Sequence, residues 1–206
     1  MRNPKRAGRL LVLALVLFLA WFVLAMATLA QTGVNNTADF TPAVMADVRP
    51  QWIVIVTLYA LAVLAGAAGM ATVATAAGLT VAARIASGVS AVAIAGYLVL
   101  ALSMTGFTDA KLSDDSRWSP SLWLSIISIW AALAAVVLTG AGLRRTGVLR
   151  RTGLVVAIIA GVILLADVVL GGAFPPLVVG FLWLAIGIGL LRRPVTAAVQ
   201  PVASTA

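Results

Sequence analysis

Asp167 is the one carboxylate inside an apolar run long enough to cross a membrane. Holding a bare carboxylate in hydrocarbon costs on the order of 3 kcal/mol, so such a group is paired, protonated or close to water. The chemistry open to it is that of a proton or cation site. Asp167 also lies only four residues before Gly171, about 6 Å along a helix axis. A hydrogen-bonded structural acid near the headgroups is therefore the competing expectation. Val156, Ala160 and Ile163 share its helical face. No arginine falls within a span to pair with it, which leaves a hydroxyl, a backbone group, water or a loop cation such as Lys111.

A second pattern is made of small residues. Ser121, Ser125, Ser128, Ala132, Ala135 and Thr139 recur at steps of 4, 3, 4, 3 and 4, which places them on one helical face. Trp123, Ile127, Trp130 and Val137 take the other face. Small side chains let helices approach closely, and their hydroxyls can bond across or back to the preceding turn. The seam is either a packing surface or the polar wall of a solute path. Gly153, Ala157 and Gly161, and likewise Ala62, Gly66 and Gly69, repeat the small spacing and predict helix–helix contacts.

The third is Arg144-Arg145-Thr146-Gly147-Val148-Leu149-Arg150-Arg151, four guanidinium groups between two apolar runs. Arginine resists translocation, so Arg144, Arg145, Arg150 and Arg151 are expected on the cytoplasmic side as topology determinants. There they also meet anionic lipid headgroups.

The absences exclude much. The chain has no His, no Cys and no Glu, which removes the usual general base, the thiolate ligands and half the carboxylate repertoire. No metal-protease, nucleophile-elbow or phosphate-loop motif is present. No catalytic residue, cofactor site or metal site is expected, and the chain is read as a non-enzyme. Asp109, Asp114 and Asp115 match no calcium-loop spacing and predict a solvated loop.

These residues need elements to hold them. Of 206 residues 63% are hydrophobic and 10% charged, with mean hydropathy +1.13. A soluble domain is usually about half apolar and a quarter charged, so bilayer is the expected solvent. Net charge +8 would suggest nucleic acid in a soluble protein. Here the cations flank apolar runs, so lipid is the expected partner and nucleic acid is not. The Arg-over-Lys bias and the Ala, Val, Leu and Gly richness hint at a GC-rich bacterial genome.

Spans are predicted at about 10–30, 52–77, 85–107, 120–143, 153–170 and 176–191, with a loose tail at 194–206. The run from Trp52 to Phe107 would measure about 84 Å as one helix, so it must fold back, near Gly78 and Arg84. The first run is read as a retained span, although Ala25-Met26-Ala27 fits a cleavage site. A short interfacial helix is expected between Thr41-Pro42 and Pro50, and Ser119-Pro120 should open the fourth span.

The expected fold is a single all-α membrane domain, a six-transmembrane-helix bundle with both termini cytoplasmic. One side then carries Arg2, Lys5, Arg6, Arg9, Arg84, Arg192 and Arg193 besides the arginine loop, and no acid. The other carries three basic and five acidic residues, with Trp52, Trp118 and Trp123 at its boundary as interfacial indoles. The functional expectation is an accessory, assembly or regulatory component of the cytoplasmic membrane that packs with itself or a protein partner. The alternative is a small transporter or channel using Asp167 and the Ser121–Thr139 face.

Overall fold

The computed structural model describes residues 4–76, 81–172 and 174–192. The described chain is all-α, with no strand: α1 Pro4–Thr32, α2 Pro42–Ala76, α3 Val81–Ser103, α4 Trp118–Arg145, α5 Arg150–Val169 and α6 Leu177–Leu191. Five of the six are long and apolar enough to cross a membrane, and α6 has 15 residues. At 1.5 Å per residue α6 rises about 22 Å, short of a hydrocarbon core of about 30 Å. Gly78, Arg2, Arg193 and the 194–206 tail lie outside the described residues.

The helices form a ring in which α1 packs on α2 and α6, α3 on α2 and α4, and α4 on α5. Small residues set the closest crossings. A Cβ on Gly140 would lie 2.6 Å from the Gly153 carbonyl oxygen, and one on Gly8 would lie 2.9 Å from that of Gly187. Gly66 faces the six-membered ring of Trp183 so closely that any Cβ there would overlap it. Gly69 abuts Leu11, and Gly161 meets Val137. The predicted small-residue contacts of the second and fifth spans are therefore present.

Large apolar side chains face outward on every helix. Val92 is 75% exposed, Leu165 71% and Val169 84%. In water such a belt would carry a hydrophobic cost that no interior packing returns, so the outer face is that of a membrane-embedded protein.

The end opposite the arginine loop is capped. Phe40, Met45, Val48, Trp52, Val56, Ala101, Met104, Phe107 and Leu112 form a second apolar cluster there. Leu112 donates its N–H to the Phe40 carbonyl at 2.8 Å, and Lys111 pairs with Asp39 at 2.8 Å. These links join the 33–41 loop to the 104–117 loop.

Three expectations are corrected here. No separate interfacial helix ends at Pro50, because α2 runs through it. Met45, Val48, Trp52 and Val56 all face the second cluster, while Ala46 and Pro50 are exposed. The carbonyl freed by the proline thus lies on the outer side, where it is cheap to leave. Trp52 is not an interfacial indole, since it is 5% exposed and donates Nε1–H to the Ala101 carbonyl at 3.0 Å. Ser119 does not cap α4, which starts one residue earlier at Trp118 with no side-chain cap. Pro120 then falls in the first turn, where a missing N–H costs nothing.

Candidate functional site

Asp167 occupies the last turn of α5, and the chain reverses directly after it. Gly171 and Gly172 take φ of +69° and +86°, a left-handed backbone that L side chains resist. Gly172 donates to the Asp167 carbonyl at 2.8 Å and Gly171 to that of Val168, the two bonds of a Schellman cap. The reversal returns the chain over its own helix end. The Phe174 N–H then reaches Asp167 Oδ1 at 2.8 Å.

The second oxygen is met from α4. Trp130 donates Nε1–H to Oδ2 at 3.0 Å, and Asp167 is 2% exposed. Both carboxylate oxygens thus accept an N–H, the arrangement that suits an acceptor-only group. Of the partners foreseen for Asp167, the backbone group is the one found. Lys111 is committed to Asp39. The indole was not foreseen, because Trp130 belongs to the face of α4 opposite the serines. That face is not uniformly lipid-facing: Trp130 is half-buried against α5, whereas Trp123 is 51% exposed.

Asp167 lines a cavity of about 310 Å³ in the half of the bundle away from the arginine loop. Trp21, Trp52, Tyr59, Tyr97, Trp118 and Phe174 give it aromatic walls, and Ser121, Ser125 and Thr37 add hydroxyls. Tyr59 Oη and Ser125 Oγ are hydrogen-bonded at 2.8 Å. Trp21 packs on Tyr59 with centroids 5.0 Å apart, and Tyr97 meets Tyr59 edge-on at 5.3 Å.

The small-residue seam divides at Ser125. Ser121 and Ser125 line the cavity. Ser128, Ala132, Ala135 and Thr139 are buried at 0%, 2%, 1% and 0% exposure and lie outside it. Ser128 Oγ bonds back to the Ser125 carbonyl, while its own carbonyl accepts Ser90 Oγ–H from α3 at 2.8 Å. Thr139 Oγ1 is buried with no hydrogen-bond partner among the described residues. Leu133 and Val136, on the same stretch of α4, are buried at 1% and 0% exposure. The third of the seam nearest Trp118 is a cavity wall, and the remainder is a packed contact.

At the other end, Arg144, Arg145 and Arg150 line a groove of about 580 Å³ with Ala141, Gly147, Leu154 and Ala157. Arg151 is exposed beside it and does not line it. Arg144 and Arg145 sit in the last turn of α4, where a cation complements the helix dipole. Arg150 and Arg151 sit in the first turn of α5, where it does not.

Of the loop acids, Asp39, Asp114 and Asp115 are each bonded within the loops. Asp115 is held by the Arg117 guanidinium, with Nε–H to Oδ1 at 2.8 Å and Nη2–H to Oδ2. That bond holds the Asp115 carboxyl below the usual carboxylate range, against the opposing pull of burial. The Asp39 carboxylate raises the Lys111 ammonium above its ordinary value. No group of three acids suited to a metal occurs among the described residues.

Tyr59, Trp130, Trp21 and Phe174 were not singled out from the sequence. One signal did exist for Trp130: it lies 18 residues before Val148, and Asp167 lies 18 after Leu149. Antiparallel neighbours joined at that turn bring such positions level. Comparison with protein-family models, with curated proteins and with solved structures found no match.

Proposed function

We propose that this chain is a six-span, non-enzymatic protein of the cytoplasmic membrane, with both termini inside, that binds a small solute in its outer cavity. The observation that carries this reading is the convergence of Asp167, Ser121 and Ser125 on one aromatic-lined space of about 310 Å³. Pockets that bind small molecules have this makeup, mostly apolar walls with a few converging polar groups. The packed level beneath Ser125 fits a carrier seen closed on the cytoplasmic side better than an open channel.

The orientation rests on cation placement. The arginine loop, Arg84 and the basic α1 start share one end, and the paired acids Asp39 and Asp115 share the other. α6 counts as the sixth span through its flanks, since Pro175 to Arg192 covers about 27 Å at helical rise. The groove of Arg144, Arg145 and Arg150 supports contact with anionic lipid, at about 1 kcal/mol per cation near the surface.

An accessory or assembly role is the second reading. Gly88 on α3 favours it: the residue is exposed, and a Cβ there would meet nothing within 4 Å, which leaves room for a close-packed partner or second copy. Gentle purification and native mass spectrometry separate the two. A retained small solute that is lost in Asp167→Asn supports the binding reading. A stoichiometric protein partner with no retained solute overturns it.

A further inference from the structure

We infer that the outer cavity takes a small organic monocation, an alkyl- or arylammonium with one compact apolar body. This rests on the binding reading above and narrows it to a substrate class. Six aromatic side chains line the cavity, and aromatic faces carry negative charge density that attracts ammonium groups. Asp167 is the only charged residue among the described lining residues.

Its two oxygens each accept one N–H, at 2.8 and 3.0 Å, and a carboxylate has about four lone-pair sites in all. It therefore keeps acceptor capacity after Phe174 and Trp130 are served. The loop cations Lys111 and Arg117 are paired with Asp39 and Asp115, and Arg49 donates to the Thr105 carbonyl at 3.0 Å, so none of the three is bonded to Asp167. The positive charge that balances Asp167 is left to an occupant.

Other occupants fit less well. An anion would face the carboxylate and the ring quadrupoles together. A calcium or magnesium ion wants at least six oxygen ligands, and one carboxylate with scattered hydroxyls does not provide them. A neutral hydrocarbon would find walls but leave Asp167 uncompensated. The volume, about 310 Å³, holds roughly ten waters at ~30 Å³ each and lies at the lower end of ligand pockets. That size suits one ring or a few short alkyl arms.

The test uses the full chain in lipid nanodiscs and three probes of similar shape: trimethylphenylammonium, tert-butylbenzene and benzenesulfonate. Binding is followed by tryptophan fluorescence and by calorimetry. The ammonium should bind about ten-fold or more tighter than the neutral probe, with no binding of the sulfonate. Asp167→Asn should erase that preference. Ala25→Trp, which puts a large ring on the α1 wall of the cavity, should remove binding of both. Equal affinity for cation and neutral probe overturns the cation assignment while leaving the solute reading intact. Absence of binding by all three probes overturns the cation assignment, and native mass spectrometry that finds no retained solute would then sink the solute reading as well. Should Asp167→Asn not fold, the three-probe ranking on the unaltered chain decides the matter.

Discussion

Trp130 donates its indole N–H to Asp167 at 3.0 Å, which ties α4 to the last turn of α5. Trp130→Phe keeps most of the ring volume and removes only the donor. Hydrogen bonds to charged groups contribute about 1.5–3 kcal/mol, so the thermal midpoint in detergent should fall by that equivalent. Trp130→Phe combined with Asp167→Asn should cost less than the sum of the two single changes, because they share one interaction. Full additivity in the double-mutant cycle would show that the bond contributes nothing.

Gly66 and Gly88 form a matched pair. A methyl at Gly66 overlaps the Trp183 ring, whereas a methyl at Gly88 meets nothing within 4 Å. Gly66→Ala should therefore destabilise by about 1–3 kcal/mol through forced repacking. Gly88→Ala should be neutral or slightly stabilising, by up to ~1 kcal/mol, since alanine is the better helix former. Unfolding midpoints of the two variants in one detergent check this. Equal effects would place Trp183 elsewhere.

The acid limb of stability should run through Asp115. Its bond to Arg117 lowers the folded pKa, so its contribution is fully present above the unfolded value of about 3.9. It is lost as pH falls from there through the depressed folded value. Asp115→Asn should lower the midpoint by a constant amount above about pH 5, and the gap to the parent should close in stronger acid. A gap that persists unchanged at the lowest pH would assign the loss to packing.

The absence of cysteine makes topology simple to read. Thr146→Cys, in the arginine turn, should resist an impermeant thiol reagent applied to intact cells and react once the membrane is opened. Asn35→Cys, in the 33–41 loop, should react from outside. The reverse pattern would invert the molecule and remove the proposed location of the cavity.

The helices were legible because each depends on a local property: apolar runs of sufficient length, broken by arginine, proline and glycine pairs. Gly153 and Gly66 were legible as contacts for the same reason, since spacing alone puts small residues on one face. Pro50 misled because a proline reads as an end, and only the tertiary cluster around Met45 and Trp52 shows why the helix continues. Trp52 misled because an indole beside a loop reads as interfacial until a cap folds over it. The cavity was not legible. Its walls come from five helices and three loops, and the register among α1, α2 and α5 is not written in any one stretch. Asp167 could be flagged from its chemistry, but not its donors, because they arrive from another helix and from a backward turn.

One consequence follows from the Phe174 N–H on Asp167 Oδ1. α5 leans on α4 and α6 leans on α1, and the two touch each other only lightly, so the 170–176 turn acts as the clasp of a bracelet. The carboxylate that would read a visitor's charge is also the pin of that clasp. Anything that draws the pin toward the interior slackens the closure, and by the same linkage anything that tightens the closure weakens the hold on the visitor. Occupancy and the parting of α5 from α6 are then two readings of one equilibrium.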